Sequence, residues 1–333
     1  MAGGVAVIGA GTFGTTMAWM LRENGLDVSL WCFEEEAARE AAKTGRNPLH
    51  MSELDLSGTL FSSDMAEVVE GASSVIVATP SFAVEKAAAQ MAPHLAAGAP
   101  VMLLSKGLAA DGRYLFEVVG DALGDCDRVA VLSGPNHAEE LALGAFSGAV
   151  VASTSTGTAS FFQRLVSGQF FRLYTSADPI GTSICGASKN VVAIAYGAAR
   201  GLGLSSNTQS LLMTRGLAEI SRLVKASGGD RKTCMGLAGV GDLDVTCHSE
   251  HSRNGMYGEA FARTGISVEE YERTHRAVVE GAHAVGPILD RAKALGVDMP
   301  LVRTVHDLLD GSYRLEQAVE MLTNRRLRPE FSS

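Results

Sequence analysis

The first twenty residues contain the feature that most restricts the fold. An apolar segment, Val5–Ile8, runs directly into a G-x-G-x-x-G turn with glycines at Gly9, Gly11 and Gly14, and a helical pattern follows. The first glycine of such a turn permits the tight bend, the second lets the backbone approach a pyrophosphate, and the third lets the helix pack against the strand. The helix N-terminus adds free N–H groups and a positive dipole end. The segment predicts a dinucleotide-binding βαβ unit.

A second apolar segment, Val28–Trp31, ends close to the acidic run Glu34–Glu36, which bears on the kind of dinucleotide. A carboxylate at this strand end accepts hydrogen bonds from the adenosine ribose, whereas an arginine would accommodate a 2′-phosphate. Three adjacent carboxylates would also repel that phosphate. Glu35 and Glu36 can equally form the acidic first turn of the next helix. The sequence favours NAD, with NADP as the alternative.

Composition and charge exclude several classes of protein. The chain has 333 residues, 46% hydrophobic and 20% charged, as in globular proteins large enough for two domains. A net charge of -9 without a basic stripe argues against a nucleic-acid partner. No run of apolar residues is long enough to cross a membrane, and the apolar N-terminus lacks the basic region of a signal peptide.

The cysteines indicate a compartment rather than a metal site. The chain has five, an odd number, and none forms a C-x-x-C pair. They are typical of reduced thiols in a cytoplasmic protein. Cys247, His248 and His251 lie close together but lack the second pair of ligands that a zinc site needs, so we expect no metal.

The first half of the chain alternates short apolar segments with helical patterns, which predicts a doubly wound parallel sheet. The segments are Val5–Ile8, Val28–Trp31, Val75–Ala78, Val101–Leu104, Val129–Leu132 and Ala149–Ala152. From about Asp178 the strand pattern ends and helical segments follow, separated by glycine-rich points. We predict a Rossmann-like dinucleotide-binding domain over residues 1–177 and an all-helical substrate-binding and catalytic domain over 178–333, with the site between them.

Two lysines are candidates for the chemistry of a hydride-transfer enzyme, which needs a base for a hydroxyl proton. Lys189 precedes the apolar run Val191–Tyr196 and is expected at the start of an apolar helix, where desolvation lowers its pKa. It could equally extend to the surface. Lys106 follows the segment Val101–Leu104, at the sheet edge where ligands bind, although a solvated loop lysine also fits this position.

Two polar groups in the second half could complete such a site. Asp242 follows a glycine turn and can orient a lysine, accept a substrate hydroxyl, or cap a helix. The tripeptide Ser252-Arg253-Asn254 offers a hydroxyl, a guanidinium and an amide, all donors suited to a phosphate or a carboxylate.

Taken together, these motifs resemble those of the NAD(P)-dependent glycerol-3-phosphate dehydrogenases over essentially the whole chain. Eight segments occur in the order of that family: GAGTFGTTMA, LLSKGL, LSGPNHAEE, GASKNVVAIAYG, TRGLAEI, GLAGVGDLDVTC, SRN and VVEG. The resemblance implies a Rossmann-like domain and an all-α domain like the C-terminal domain of 6-phosphogluconate dehydrogenase. It implies interconversion of dihydroxyacetone phosphate and sn-glycerol 3-phosphate, which supplies phospholipid synthesis. The apolar helical half favours a homodimer.

The resemblance also implies roles for single residues. Lys189 matches the proton acceptor for the C2 hydroxyl, Lys106 a lysine that contacts substrate and cofactor, and Asp242 the aspartate beside the catalytic lysine. Arg253 matches a group that binds both substrate and cofactor. The other matches to substrate-binding positions are Gly134, Asn136, Ser252 and Asn254. The other matches to cofactor-binding positions are Gly9, Gly11, Thr12, Phe13, Gly14, Phe33, Phe82, Ala138, Val278 and Glu280.

The chain departs from the family pattern at four places. Phe33 stands where many bacterial members have an arginine that helps bind NADPH, and the segment WCFEEE is similar to the eukaryotic NAD-linked branch. Gln209 stands where a lysine is usual, and His137 where an aromatic residue is usual. Residues 47–58 lack the usual proline-bearing pattern.

Two other functions are compatible with the fold. A 3-hydroxyacid or 6-phosphogluconate dehydrogenase would share the architecture and a catalytic lysine, but the G-x-G-D-L turn and the S-R-N group distinguish this chain from them. A non-catalytic NAD sensor could retain the fold without turnover. The presence of Lys106, Lys189, Asp242 and Arg253 argues against the sensor.

Overall fold

The computed structural model describes residues 3–323 and 330. These residues form an eight-stranded sheet, with strand order β3-β2-β1-β4-β5-β6-β7-β8, in the first half of the chain. The strands are β1 (Val5–Ile8), β2 (Val28–Trp31), β3 (Leu60–Ser62), β4 (Ser74–Val77), β5 (Val101–Leu103), β6 (Val129–Ser133), β7 (Ser147–Ala152) and β8 (Phe171–Ser176). Between them lie α1 (Thr12–Glu23), α2 (Glu35–Thr44), α3 (Met65–Val69), α4 (Val84–Met91), α5 (Leu115–Leu123), α6 (Ala138–Ala142) and α7 (Thr156–Val166).

The sheet is buried on both faces, which explains the continuous apolar segments of its strands. In β1, Val5 and Val7 face one core together with α1, α2 and α7. Ala6 and Ile8 face the opposite core together with α3, α4, α5 and the helical half. The predicted architecture, a doubly wound sheet followed by helices, is therefore confirmed.

Three details of the sheet differ from the prediction. The β7 strand is antiparallel to β6, with Val131 opposite Ala152, because the chain after β6 returns at the same sheet edge instead of crossing over. The β3 strand was not predicted, since it is only three residues long. The β8 strand was not predicted either, because it lies at the sheet edge and alternates buried Phe171 and Leu173 with exposed residues.

The second half of the described chain is helical. It comprises α8 (Pro179–Gly201), α9 (Ser206–Ala226), α10 (Asp242–His248), α11 (Arg253–Thr264), α12 (Val268–His275), α13 (Glu280–Ala294), α14 (Pro300–Leu309) and α15 (Leu315–Thr323). The division at residue 177 stays a prediction, and residues 1–2, 324–329 and 331–333 of the two predicted domains lie outside the described residues. None of the helices described here is long and apolar enough to cross a membrane.

The 23-residue helix α8 is the centre of this half, and α9, α11 and α13 pack around it. Helix α11 crosses α8 at glycines. A Cβ atom at Gly258 would lie 2.1 Å from the carbonyl oxygen of Ile194, and one at Gly197 would lie 2.0 Å from that of Gly255. The two backbones can meet only because these positions lack side chains, and the crossing holds the N-terminus of α11 beside α8.

Candidate active site

A cleft of about 670 Å³ lies between the carboxyl ends of the parallel strands and the helical half. Ligands of doubly wound sheets bind at this edge. The predicted site residues that line the cleft are Gly9, Gly11, Thr12, Phe13, Phe33, Phe82, Lys106, Asn136, Ala138, Lys189, Asp242, Ser252, Arg253, Asn254, Val278 and Glu280. Gly14 and Gly134 do not line it, and they pack instead against the Gly9 carbonyl and against Ala149, respectively.

The glycine turn has the geometry of a dinucleotide cradle. Gly9 has a φ of +112°, a conformation that favours glycine, and a Cβ atom at Gly14 would lie 1.8 Å from the carbonyl oxygen of Gly9. A Cβ atom at Gly11 would meet no atom within 4 Å, so this position leaves open space in front of the N-terminus of α1. The turn therefore fits a pyrophosphate.

The end of β2 carries a carboxylate into the same cleft. Glu34 immediately precedes α2 and lines the cleft beside Phe33, whose side chain is 72% exposed. Glu35 and Glu36 form the first turn of α2, as predicted, and Glu35 pairs with Arg39. A carboxylate at this strand end, with Phe33 beside it, suits an unphosphorylated adenosine ribose.

The loop over residues 47–58, which differs from the family pattern, is hydrogen-bonded to the glycine turn and to the helix that follows it. The side-chain amide of Asn47 donates hydrogen bonds to the Ala10 carbonyl at 2.7 Å and to Thr15 Oγ1 at 2.8 Å. His50 Nδ1 lies 3.5 Å from Thr12 Oγ1. The loop therefore supports the turn without the proline-bearing pattern that is usual in the family.

Two lysines and one aspartate form a buried charged centre at the other end of the cleft. Lys106 Nζ donates to Asp242 Oδ2 at 2.8 Å and to Asn136 Oδ1 at 3.0 Å. Lys189 Nζ donates to the other carboxylate oxygen of Asp242 and, at 2.8 Å, to Thr246 Oγ1. The Asp242 side chain is 1% exposed and bridges the two ammonium groups.

Burial and charge shift the pKa values of this centre in a definite way. Burial alone would raise the pKa of the Asp242 carboxyl, but the ammonium groups of Lys106 and Lys189 outweigh it and lower the pKa to about 2. Burial lowers the pKa of Lys189 to about 7, because desolvation together with Lys106 exceeds the stabilisation by Asp242. The carboxylate stays ionised while Lys189 can lose its proton near neutral pH.

The helix α8 positions Lys189 differently from the prediction. Lys189 lies in the middle of α8 rather than at the start of a helix, and at 6% exposure it does not extend to the surface. One turn earlier, a Cβ atom at Gly186 would lie 3.1 Å from Ser133 Oγ at the end of β6. This close approach brings Lys189 to the carboxyl edge of the sheet.

Asp242 is the first residue of α10, yet its side chain does not cap that helix. Its Oδ2 accepts hydrogen bonds from Ser133 Oγ at 2.8 Å and from the backbone N–H of Gly134 at 3.1 Å. A Cβ atom at Gly134 would lie 2.6 Å from the Cα atom of Ala149, so only glycine fits here. Gly134 therefore contacts the charged centre through its backbone, whose carbonyl also accepts a hydrogen bond from Lys106 at 3.3 Å, and its contact with substrate stays a prediction.

The Ser252-Arg253-Asn254 group is only partly available to a ligand. Ser252 Oγ accepts from the N–H of Gly255 and caps α11. The Asn254 amide donates to Asn190 Oδ1 at 3.1 Å, and its Oδ1 accepts from the N–H of Gly281 at 2.8 Å. Within the part of the chain that the structure describes, the Arg253 guanidinium has no hydrogen bond or ion pair and lines the cleft, so it is the member that can bind an anion.

Glu280 closes the cleft between the two halves. Ser81 Oγ, just beyond β4, donates to Glu280 Oε2 at 2.6 Å, and burial raises the pKa of this carboxyl. The ring of Phe82 lies 5.5 Å from that of His283. These contacts hold the VVEG segment against the end of β4.

Sequence reasoning missed Ser133 and Thr246 as partners of the charged centre. Thr246 lies four residues after Asp242 on one face of α10, a spacing that could have indicated it. Gln209, a departure from the family pattern, donates to the Leu204 carbonyl at 2.9 Å and does not line the cleft. His137, the other departure, does line it. The absence of a metal site stays a prediction.

A dinucleotide turn that faces a buried amine across one cleft defines the class of this protein, a nicotinamide-dependent dehydrogenase with a Rossmann-like and a helical half. Two family models match, described as the N-terminus and the C-terminus of NAD-dependent glycerol-3-phosphate dehydrogenase, over residues 4–159 and 178–320. The chain belongs to this family.

Full-length relatives agree with this assignment. The chain is 38% identical over 330 residues to glycerol-3-phosphate dehydrogenase [NAD(P)+] of Moorella thermoacetica, covering 99% of this chain and 98% of that protein. It is 37% identical over 332 residues to glycerol-3-phosphate dehydrogenase [NAD(P)+] 2 of Mycobacterium tuberculosis, covering 98% of both. A crystal structure of the Coxiella burnetii glycerol-3-phosphate dehydrogenase superimposes with a TM-score of 0.92 at 34% identity, over 97% of this chain and 99% of that one. The predicted cofactors, NAD and NADP, match these names.

Proposed function

We propose that this protein interconverts dihydroxyacetone phosphate and sn-glycerol 3-phosphate with NAD(H), and less readily with NADP(H). The observation that carries the proposal is the buried amine of Lys189, held by Asp242 and Thr246 in the cleft that the glycine turn opens into. Held at the glycine turn, the nicotinamide dinucleotide would supply the hydride acceptor for C2 of glycerol 3-phosphate as NAD+ and the hydride donor for C2 of the ketone as NADH.

In this mechanism Lys189 accepts the proton of the C2 hydroxyl during oxidation and returns it during reduction. Its lowered pKa, about 7, lets both protonation states be populated at neutral pH, as a general acid–base requires. Asp242 orients the amine and, as a fixed buried carboxylate, stabilises its protonated form. Lys106, on the other oxygen of Asp242, adds positive potential where charge develops on the C2 oxygen.

The substrate phosphate is bound by the guanidinium of Arg253 and the N-terminus of α11, helped by the positive potential of Lys106. A helix N-terminus offers N–H groups and a positive dipole end to an anion, and a guanidinium adds paired donors. Binding energy from the phosphate can hold C2 in the geometry for hydride transfer. Ser252 and Asn254 complete this end of the site, and Asn136, held by Lys106, contacts the substrate at its other end.

The cofactor end follows from the glycine turn and the acidic strand end. Glu34 accepts hydrogen bonds from the adenosine ribose hydroxyls and, with Phe33 in place of an arginine, favours NAD. Phe82, Ala138, Val278 and Glu280 line the remaining wall. The division into domains at residue 177, a homodimer, a cytoplasmic location and the supply of glycerol 3-phosphate for phospholipid synthesis belong to the same proposal.

The test is the initial rate of NADH oxidation with dihydroxyacetone phosphate, measured beside NADPH and beside unphosphorylated dihydroxyacetone. We expect turnover that requires the phosphate and is faster with NADH. A protein that binds NADH but turns over neither triose would contradict the reaction and favour another hydroxy substrate or a sensor.

A further inference from the structure

His137 has a polar atom that the proposed mechanism leaves unused. It lies between Asn136 and Ala138 on the wall of the cleft, and its Nε2 is buried without a hydrogen-bond partner among the described residues. The Nδ2 atom of Asn136 is likewise buried without a hydrogen-bond partner among the described residues, while its Oδ1 accepts a hydrogen bond from Lys106. Buried polar atoms nearly always have partners, so two orphans side by side in a cleft indicate ligand contacts.

The surroundings of His137 make it a neutral group among charged ones. Burial lowers the pKa of its imidazole to about 4, and the ammonium groups of Lys189 and Lys106 contribute to the shift. The ring of His251, its neighbour at 6.4 Å between centroids, disfavours the charged form as well, whereas Asp242 favours it. A neutral imidazole nitrogen donates or accepts one hydrogen bond, depending on the tautomer.

The three polar ends of the substrate class can be assigned by charge. The C2 oxygen requires Lys189, and a phosphate dianion is best matched by the guanidinium of Arg253 and a helix N-terminus. The remaining end is an uncharged hydroxyl on C1, which both donates and accepts. A neutral imidazole and an amide N–H are the partners that suit it.

We propose that His137 is a specificity-determining residue whose Nε2 binds the C1 hydroxyl of the triose phosphate, next to the amide of Asn136. This inference rests on the proposed function. It implies that the enzyme selects substrates with a hydroxyl on C1, because a substrate without it leaves the buried Nε2 of His137 and the Asn136 amide unpaired.

The test compares dihydroxyacetone phosphate with hydroxyacetone phosphate, in which a methyl group replaces the C1 hydroxymethyl group. For the wild-type protein we expect kcat/KM to be at least about 10-fold higher with dihydroxyacetone phosphate. His137→Phe should lower kcat/KM for dihydroxyacetone phosphate about 10-fold and change that for hydroxyacetone phosphate less than about twofold. Its affinity for NADH should match that of the control His94→Phe, which replaces an exposed histidine outside the cleft.

Equal losses with both substrates would mean that His137 has only a structural role and would overturn the proposal. So would a wild-type protein that does not discriminate between the two, although the reaction itself would then stand. A wild-type protein that turns over neither triose phosphate would instead refute the proposed function.

If His137→Phe does not fold, the variants His137→Gln and His137→Asn test the same proposal. The amide nitrogen of a glutamine reaches about as far as Nε2, whereas that of an asparagine is shorter and overlays Nδ1. His137→Gln should therefore retain most of the discrimination between the two substrates, and His137→Asn should lose it. Equal discrimination by both variants and the wild type would overturn the assignment.

Discussion

The dinucleotide end of the cleft and its charged end differ in how their residues are distributed along the chain and in what they contribute. Gly9, Gly11 and Gly14 belong to one turn and contribute backbone groups and open space. Lys106 and Asp242 are 136 residues apart and contribute buried charge. The first end is a property of a local segment, whereas the second exists only when both halves of the chain are folded together.

This difference predicts that single substitutions can weaken NADH binding without lowering kcat, or lower kcat without weakening NADH binding. Replacing a group of the charged centre removes an interaction with the reacting atoms and leaves the glycine turn intact. Replacing a glycine changes backbone geometry and leaves the lysines in place. The variants below test whether the two ends are independent in this sense.

The largest expected effect is that of Lys189→Ala. We expect kcat to fall about 10³- to 10⁴-fold, because the variant loses the general acid–base, while the Kd for NADH changes less than about threefold. Lys225→Ala, at an exposed position in the last turn of α9, is the matched control and should retain wild-type kcat. Turnover retained by Lys189→Ala would remove Lys189 as the base, and a parallel loss of NADH affinity would show that the two ends are coupled.

Two glycines of the turn should respond differently to the same substitution. In Gly14→Ala the new methyl group would overlap the Gly9 carbonyl, so the backbone must shift, and we expect a loss of folding free energy of about 3 kcal/mol or more. In Gly11→Ala the methyl group meets no protein atom, so thermal unfolding should match the wild type while NADH binds at least about 10-fold more weakly. Differential scanning calorimetry and NADH titration measure the two effects. Equal changes in Tm would contradict the assignment of Gly11 to the cofactor.

The charged end should also give a pH signature that the dinucleotide end lacks. Because burial lowers the pKa of Lys189 to about 7, its neutral form is populated as pH rises through that value. Between about pH 6 and 8, kcat for glycerol 3-phosphate oxidation should rise about 10-fold and kcat for ketone reduction should fall, while the Kd for NADH stays level.

Folding stability should follow the same titration. The unfolded lysine has the ordinary pKa of 10.5, so the unfolded state binds more protons between about pH 7 and 10.5 and stability rises over that interval. Lys189→Met should abolish this contribution, which a comparison of Tm against pH for the two proteins would detect. A Tm difference that is constant with pH would show that Lys189 titrates normally.

The smallest effect is expected for cofactor choice. Phe33→Arg combined with Glu34→Ser adds a cation and removes a carboxylate at the ribose end, so kcat/KM for NADPH should rise about 10-fold relative to NADH. Phe33→Arg with Glu35→Ser is the matched control, since Glu35 pairs with Arg39 and does not line the cleft. An unchanged ratio in the first variant would mean that cofactor choice is set elsewhere.

The sequence predicted most of what depends on local pattern. Strands buried on both faces, such as Val5–Ile8, and the glycine turn beside them are recognisable because short segments determine them. The β8 strand was not predicted because its buried Phe171 and Leu173 alternate with exposed residues, unlike the continuous apolar run of a strand buried on both faces. The antiparallel direction of β7 was not predicted because no local sequence pattern encodes it.

The charged centre was predicted residue by residue but not as a structure. Sequence position and family resemblance together indicated Lys106, Lys189 and Asp242, while the sequence could not show that one carboxylate bridges both amines. Ser133 could not be identified as a partner, because its hydroxyl reaches Asp242 only after the two halves pack together. The substrate-binding role of Asn254 stays a prediction, whereas the hydrogen bonds of its side-chain amide with Asn190 and Gly281 are a long-range arrangement that spacing does not reveal.

The reversed strand β7 has a consequence for where the base is placed. Because β8 runs parallel to β7, its C-terminal end lies on the side of the sheet opposite the cleft, where the parallel strands begin. Helix α8 starts there, at Pro179. Lys189 is ten residues further on, about 15 Å along the helix, which is close to the height of a five-residue strand. One residue inserted before Lys189 would turn its side chain about 100° around the helix axis and move it away from Asp242. The part of α8 before Lys189 is therefore about as long as the sheet is high. Because β7 and β8 run opposite to the other strands, α8 starts on the far side of the sheet, and this determines which of its turns supplies the amine.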